Sequence, residues 1–361
     1  MTIPLAIFPA TPAEMPESDR MASAPHPREM LDLLGQEEAE RAFLALHASG
    51  KMHHAFLLTG PEGVGKATFA YRAARFLLEG AAEAGGGLFG TPETLFVGTD
   101  ARTTHLIAHE SHPDLAILRR RYDPKTKKFR QDISVEDTRG VMALFEKTAA
   151  FGGWRIIIVD AADDLNAASA NALLKTLEEP PPRALFFLVA HQPQRLLPTI
   201  RSRCRTLAFQ PLGEAHLARL IAALRPEAEA KTVDEALGRA GGSIRTALRL
   251  LEPGFLASLR QIESVLEALP RRQPAAVLKI AESLRAGSEG EQAFADFLDA
   301  VEHWLSARIR TSLSHGESVE RLAAYAELWS SMRGQAQMVE AMNLDRRAFA
   351  LGLVEQLSTL V

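Results

Sequence analysis

Four short apolar runs mark the first part of the chain, and each is continuous rather than alternating with polar residues. They span 55–58, Leu115–Leu118, 155–159 and 185–190. Continuous runs of this length are typical of parallel strands that helices cover on both faces. Segments with helical spacing separate the runs. The pattern therefore predicts an α/β sandwich with a parallel sheet over roughly the first 210 residues.

Capping signals and prolines set the ends of two predicted helices. Ser134 followed by Asp137 forms a capping box that opens a helix running through Val141 and Phe145. A second helix, over 167–179, ends where three consecutive prolines, 180–182, cannot donate to a helical ladder. A third begins near residue 67, with its apolar positions on one face.

After Pro211 the strand signals stop, and the remaining sequence has only helical spacing. Gly254 separates a short helical segment from a longer one. The pattern predicts four parts: a loose N-terminal tail over 1–27, an α/β core over 28–212, a small helical unit over 213–254 and an all-helical unit over 255–361. The tail is predicted from its four prolines within sixteen residues.

Composition favours an ordinary globular protein of the cytoplasmic type. Of 361 residues, 47% are hydrophobic and 24% are charged, and the formal net charge of −4 gives no whole-chain attraction to nucleic acid. The single cysteine, Cys204, excludes an internal disulfide and a multi-cysteine zinc module, and we expect it to be a small buried residue rather than a reactive thiol. No apolar run approaches the roughly 20 residues that span a bilayer, and the start lacks the basic leader of a secretory signal.

A phosphate-binding loop follows the first predicted strand, but one of its metal ligands is missing. Residues 60–68 read GPEGVGKAT, which keeps the glycines and Lys66 of the motif G-x-x-x-x-G-K-[ST]. Ala67 stands where a hydroxyl should bind magnesium. Thr68 comes one position late, and one residue turns a helix by about 100°, so we do not expect its hydroxyl to replace that ligand.

The second nucleotide element is also incomplete. The strand IIIVD ends at Asp160, which could orient a magnesium shell, but Ala161 follows where a glutamate would activate the attacking water. Asp163 and Asp164 lie beyond the strand end and are expected in a solvated turn. Two independent losses predict that this chain hydrolyses no nucleotide.

Two blocks of sequence resemble the clamp-loader branch of the AAA+ family. They are VDAADDLNAASANALLKTLEEPPP and LFFLVAHQPQRLLPTIRSRCRTLAF. Ser202-Arg203-Cys204 matches the family's Ser-Arg-Cys motif, and Gly242-Ser243-Ile244-Arg245 matches its second-sensor region. The resemblance covers about residues 28–250 by motif and the helical remainder by architecture only.

The resemblance implies a fold and a set of partners. The expected architecture is an AAA+ core over 28–212, a helical lid over 213–254 and a C-terminal collar for oligomerisation over 255–361. Clamp loaders are open rings of five subunits that load a sliding clamp onto primed DNA. The expected partners are therefore motor subunits (gamma/tau) and a delta subunit in a heteropentamer, with the clamp and DNA reached through the complex and no membrane.

The resemblance also assigns roles to residues. Arg203 would act in trans as the arginine finger of a neighbouring ATPase, with a solvated surface arginine as the alternative. The chain would be a non-catalytic stator within a DNA-directed DNA polymerase (nucleotidyltransferase) holoenzyme. No cofactor would be required, although the retained cradle has room for a non-hydrolysed ATP or ADP. The degenerate nucleotide site would comprise Gly60, Gly63, Gly65, Lys66, Thr68, Asp160 and Arg245.

Three further features leave alternatives open. Arg245 is either the second-sensor residue or a helix-surface arginine, and His191-Gln192 is a weak match to the first sensor. His105, His109 and His112 lie where many relatives have zinc cysteines, but no metal site is predicted. The basic segment 119–130 is expected to be a solvated hairpin, with phosphate contact as the alternative.

Rival functions remain for the chain as a whole. The first is an ATP-hydrolysing motor subunit of the same loader, which Ala67 and Ala161 disfavour. A P-loop nucleotide kinase would need a compact single domain with an arginine-rich lid, and a freestanding DNA-binding protein would need affinity for DNA without partners.

Overall fold

The computed structural model describes residues 5–8, 15–21, 23–80, 92–271, 273–285, 287–314, 318–342 and 344–360. The chain divides into two compact units, Met1–Leu251 and Glu252–Val361. Among the described helices, none combines the length and apolar character needed to cross a bilayer.

The first unit is built on a parallel sheet of five strands, with a short hairpin beside it. The strands are β1 (Ala55–Thr59), β2 (Leu115–Leu118), β3 (Tyr122–Asp123), β4 (Lys128–Phe129), β5 (Arg155–Asp160), β6 (Ala184–Ala190) and β7 (Arg205–Ala208). The sheet order is β2-β5-β6-β1-β7, and β3 pairs with β4 as the antiparallel hairpin. β6 is buried along its whole length because it lies at the centre of the sheet.

Helices cover the sheet and continue into a small helical subdomain. The helices of the first unit are α1 (Glu37–Ala48), α2 (Lys66–Leu78), α3 (Arg102–Ala108), α4 (Val135–Met142), α5 (Ala167–Glu178), α6 (Pro198–Arg201), α7 (Glu214–Leu224), α8 (Ala230–Arg239) and α9 (Ile244–Leu250). Three short 3₁₀ helices lie at Pro27–Glu29, Ala162–Asp164 and Pro193–Arg195. Helices α7 to α9, here called the lid, share their own apolar cluster around Leu217 and Ile221.

Alternate strand residues face two separate apolar layers. Phe56 and Phe187 belong to the layer packed against α1 and α2, whereas Leu57 and Phe186 belong to the layer packed against α5. This alternation follows from the two-residue repeat of a strand, and it explains why the four runs are apolar at every position. The predicted α/β fold class with a parallel sheet is confirmed.

The second unit is entirely helical in its described residues. Its helices are α10 (Phe255–Glu267), α11 (Pro274–Ser283), α12 (Ser288–Ser314), α13 (Val319–Ala341) and α14 (Arg346–Leu360). They bury one core in which Phe294, Phe297, Leu305 and Tyr325 have no exposed surface. Gly254 is the N-cap of α10, where the sequence predicts a boundary, and Pro274 is the first residue of α11.

Two features of the first unit differ from the predictions. β7 was not predicted, because this edge strand carries exposed Arg205 and Thr206 and only Leu207 is buried. The described part of the predicted loose tail, 5–8, 15–21 and 23–27, is instead packed onto the core, so for these residues the prediction is wrong. Its polar side chains are held by buried charge pairs, a stabilisation that proline content does not reveal.

Candidate functional site

The phosphate loop joins β1 to α2 at the carboxyl edge of the sheet, and its glycines allow very close packing. Gly60 has φ 144°, and a Cβ there would lie 2.4 Å from the Phe209 carbonyl oxygen. Gly63 has φ 77°, and a Cβ there would lie 2.3 Å from Ser243 Oγ of the lid. Both positions require glycine because the backbone is in the left-handed region and no space exists for a side chain.

Lys66 is buried, and the loop itself binds its ammonium group. Nζ donates to the carbonyl oxygens of Gly60 at 2.6 Å and Pro61 at 2.5 Å, and the residue is 3% exposed. Burial lowers the pKa of Lys66 to about 8, although the nearby carboxylates of Asp160, Glu62 and Asp163 act in the opposite direction. A phosphate ligand would have to compete with two carbonyl oxygens for this ammonium.

A cavity of about 370 Å³ opens beside the loop, large enough for a small ligand. Four parts of the first unit line it: the phosphate loop, the N-terminal segment, the end of β5 and the lid. The lining residues include Gly65, Lys66, Ala67 and Thr68 of the loop, Asp19 of the N-terminal segment, Asp160 of β5, and Ile244, Arg245 and Leu248 of the lid. The structure thus brings the predicted residues Gly63, Gly65, Lys66, Thr68, Asp160 and Arg245 around one cavity, whereas Gly60 closes the base of the loop. The methyl group of Ala67 offers no oxygen to a metal ion.

Asp160 ends β5 inside this cavity, almost fully buried. Burial is the main cause that raises its pKa to about 7, and the carboxylates of Asp19 and Glu62 add to the rise while Lys66 opposes it. Burial therefore favours the neutral form of this carboxyl group over the form that an exposed aspartate would have at the same pH. The next residue is Ala161, so the expected position of a catalytic base carries no proton acceptor.

Asp163 and Asp164 are not in a solvated turn, and the prediction for them is wrong. The Asp163 carboxylate accepts from the backbone N–H groups of His191 at 2.5 Å and Gln192 at 3.1 Å. Asp164 pairs with Arg120 at 3.0 Å. Asp163 thereby fixes the segment after β6, where the first sensor is predicted, to the segment after β5. Burial lowers the pKa of His191, so its imidazole stays neutral near pH 7.

The lid contacts the loop directly through the start of α9. The N–H of Ile244 donates to the Gly63 carbonyl at 2.9 Å, and Ser243 caps α9 by accepting from the Thr246 N–H. Arg245 pairs with Glu62 of the loop at 3.1 Å, with both side chains substantially exposed. Arg245 therefore lies at the loop, where a sensor residue would be needed, and is held there by a glutamate.

Gln36, just before α1, braces the loop from behind and was not predicted. Its side-chain amide donates to the carbonyl oxygens of Val64 at 3.0 Å and Gln210 at 2.7 Å, and its oxygen accepts from the Gln210 N–H at 3.3 Å. Gln36 is 4% exposed. No local sequence signal marks it, because its partners lie 28 and 174 residues away.

A cluster of charged groups fixes the N-terminal segment beside the cavity, and sequence reasoning missed it. Glu17 pairs with Arg28 at 2.6 Å and with Arg119 at 2.7 Å, and both arginines also reach Glu110 at 2.6 Å. Although burial alone would raise the pKa of Glu17, hydrogen bonds and charge from the surrounding arginines lower it to about 2. Asp19 pairs with the same Arg119 at 3.4 Å and lines the cavity.

Arg203 lies on a different surface and does not line the cavity of its own loop. Its Nη1 donates to the Thr199 carbonyl at 2.9 Å, and its Nη2 pairs with Glu178 Oε1 at 2.7 Å. The side chain is 35% exposed. The neighbouring Cys204 is mostly covered, and burial raises its pKa to about 12, which agrees with the predicted unreactive thiol.

The remaining sequence candidates have structural partners. His105 and His109 pack edge-on against Phe8, whereas His112 packs against Phe151. Within the described residues, no three metal-ligating side chains converge.

The basic segment forms the predicted hairpin. Tyr122 and Phe129 pack ring to ring across it, and Arg121 and Arg130 pair with Asp137 at 2.7 and 3.7 Å.

Comparisons with known proteins identify the family. A family model described as DNA polymerase III, delta subunit, matches residues 35–213. DNA polymerase III subunit delta' of Pseudomonas aeruginosa is 32% identical over 265 residues, which cover 73% of this chain and 74% of that protein. The chain belongs to the delta-prime family of DNA polymerase III subunits. The members of this family are components of the DNA polymerase III clamp loader.

Other similarities of the chain differ in how much of the matching protein they cover. The delta' subunit of Bacillus subtilis is 35% identical over 164 residues, which are 45% of this chain and 44% of that protein. The tau/gamma subunit of Haemophilus influenzae is 29% identical over 65% of this chain and 32% of its own length. Among solved structures, a gamma subunit-related protein of Thermotoga maritima matches with TM-score 0.40 and 17% identity, over 90% of this chain and 99% of that one.

Proposed function

We propose that this chain is the stator of the DNA polymerase III clamp loader, which completes a neighbouring subunit's ATP site with Arg203 and hydrolyses no ATP itself. The observation that carries the proposal is the position of Arg203. Its side chain is 35% exposed and does not line the cavity that contains Lys66, which supports a role outside the chain's own loop. An arginine supplied in this way is worth about 10³ to 10⁵ in rate at other nucleotide sites.

The state of the chain's own site supports the non-hydrolysing role. Ala67 supplies no metal ligand, Ala161 supplies no base, and the ammonium of Lys66 is bound by carbonyl oxygens of its own loop. Under this proposal the chain requires no cofactor. The cavity of about 370 Å³ is compatible with an ATP or ADP that is held without hydrolysis.

The proposal extends to assembly. The first unit would form the AAA+ core and lid, and the second would be the collar that joins the motor subunits (gamma/tau) and the delta subunit in a heteropentamer. The second unit leaves large apolar side chains exposed, which a partner surface could cover: Leu278, Leu313, Val319, Met338, Met342 and Leu351. Sliding clamp and primed DNA would be reached through the complex, in the cytoplasm.

The test is DNA-stimulated ATPase activity and clamp loading by the reconstituted complex, with Arg203→Ala or Lys66→Ala in this chain alone. We expect a large loss of ATPase activity for Arg203→Ala and little change for Lys66→Ala. Arg201→Ala is the matched control, because this exposed arginine lies two residues away and just outside the Ser-Arg-Cys motif. Size-exclusion chromatography confirms that each variant assembles.

The opposite pattern would overturn the proposal. If Lys66→Ala abolishes the activity and Arg203→Ala has no effect, the chain acts through its own nucleotide site, as a motor subunit does. ATP turnover by the isolated chain would lead to the same conclusion.

A further inference from the structure

Glu178 occupies an electrostatically unfavourable place. It is the last residue of α5, and the unpaired carbonyl groups at a helix C-terminus disfavour a carboxylate there. Glu179 follows at the C-cap. The last backbone hydrogen bond of the helix runs from the Glu179 N–H to the Lys175 carbonyl, and neither glutamate side chain takes part in it. A glutamate at this position therefore costs helix stability unless a cation compensates for it.

The compensating cation is Arg203. The Glu178 Oε1 atom lies 2.7 Å from Arg203 Nη2, and the Thr199 carbonyl in α6 accepts from Arg203 Nη1. The guanidinium is thus held from two sides, by the end of α5 and by α6. Residue 180 begins the proline run that fixes the end of α5, and Pro198 begins α6.

These contacts leave the guanidinium able to bind a second anion. Nε–H and the second N–H of Nη2 are engaged neither by Glu178 nor by Thr199, and Arg203 is 35% exposed. A phosphoryl oxygen of a neighbouring chain could therefore bind without breaking the pair. The Glu178 carboxylate then fixes the position of the arginine and does not compete with the phosphoryl group for it.

We propose that Glu178 is a positioning residue for Arg203, which it holds at one place on the surface for use by a neighbour's ATP site. This inference rests on the proposed function. A free arginine side chain must lose its rotamer freedom when it engages a phosphate, whereas an arginine already held on two sides loses less. Because the pair is partly exposed, we expect a modest effect, about twofold to fivefold in kcat.

The experiment compares Glu178→Gln with Glu179→Gln in the reconstituted complex. Both changes remove one negative charge from the same helix end, but only Glu178 contacts Arg203. We expect Glu178→Gln to lower kcat of the DNA-stimulated ATPase about twofold to fivefold. KM for ATP should stay unchanged, because the neighbour binds the nucleotide. Glu179→Gln should behave as wild type.

A double variant shows whether the carboxylate acts through the arginine. Glu178→Gln combined with Arg203→Ala should be no slower than Arg203→Ala alone. A further loss in the double variant, a raised kcat for Glu178→Gln, or equal effects of the two glutamine variants would each overturn the inference.

The same series separates this inference from the proposal beneath it. If Arg203→Ala lowers kcat but Glu178→Gln does not, only the positioning role fails. If Arg203→Ala itself leaves kcat unchanged, the trans-acting arginine and its positioning residue both fail.

Discussion

Replacing Gln36 with methionine should destabilise the first unit strongly. Gln36 supports the phosphate loop, and this effect on stability is expected even though we propose that the loop hydrolyses no ATP. Methionine has nearly the same length and fills the same space, so Gln36→Met removes hydrogen bonds without leaving a large cavity. The change isolates the three bonds that join the phosphate loop, α1 and the end of β7.

The expected loss follows from the geometry of those bonds. Two donations, at 3.0 Å and 2.7 Å, are of ordinary strength, and the acceptance at 3.3 Å is weaker. At about 0.5–1.5 kcal/mol for each bond, the sum is about 2–3 kcal/mol, and the Val64 carbonyl is left buried without this donor. With a typical denaturant slope, the urea midpoint should fall on the order of 1 M.

The assay must report on the first unit alone. Of the three tryptophans, Trp154 packs against the sheet of the first unit, and Trp304 and Trp329 lie in the second. In a background that carries Trp304→Phe and Trp329→Phe, the fluorescence of Trp154 follows urea unfolding of the first unit. Gln131→Met is the control, since Gln131 is exposed.

One result would refute the reasoning. If Gln36→Met lowers the midpoint no more than Gln131→Met does, the three bonds do not hold the loop to the core.

Three further predictions concern the same unit. In thermal unfolding, Gly63→Ala should lower the free energy of unfolding by at least about 2 kcal/mol more than Gly50→Ala does. Both glycines have positive φ (77° and 66°), but only a Cβ at Gly63 would meet a neighbour, Ser243 Oγ at 2.3 Å. Asp160→Asn should gain stability relative to wild type as pH rises from 4 to 7. The raised pKa, about 7 against 3.8, means that Asp160 holds a proton in the folded wild type that the unfolded chain releases, so the contribution of this residue to wild-type stability falls across this range. Asp163→Asn should speed hydrogen exchange of the two amides after β6 and cost about 1–3 kcal/mol.

Each of these has a contrary outcome. Equal losses in the two glycine variants would show that the lid yields to the added methyl group. A difference between Asp160→Asn and wild type that is the same at pH 4 and pH 7 would contradict the raised pKa. Unchanged exchange in Asp163→Asn would show that other contacts fix the segment.

The sheet could be predicted because its signal is local. The runs that became β1, β2, β5 and β6 are apolar at every position, since helices cover both faces, and this continuity is visible in a few consecutive letters. β7 was not predicted because it is an edge strand in which only one residue, Leu207, is buried.

The loop residues of the site could also be predicted, because their spacing is fixed by the ligand that such a loop binds. The side chains that hold the loop and its neighbouring segments in place could not be predicted from the sequence. Gln36 and Gln210 are 174 residues apart, and Asp163 lies 28 residues from the amide it binds. Arg28 lies at the predicted tail boundary and Glu110 in the loop before β2, and the two side chains pair although 82 residues separate them. Such pairs become neighbours only after the chain has folded.

The packed N-terminal segment has a practical consequence for anyone who shortens this chain. A protein that started at residue 28 would look well trimmed by sequence, but it would lack Glu17 and Asp19. Arg28 and Arg119, with side chains 3% and 18% exposed, would keep only Glu110 among these partners. The expected product is a destabilised first unit, because two guanidinium groups lose most of their counter-charges and the buried Phe8 is lost with the segment.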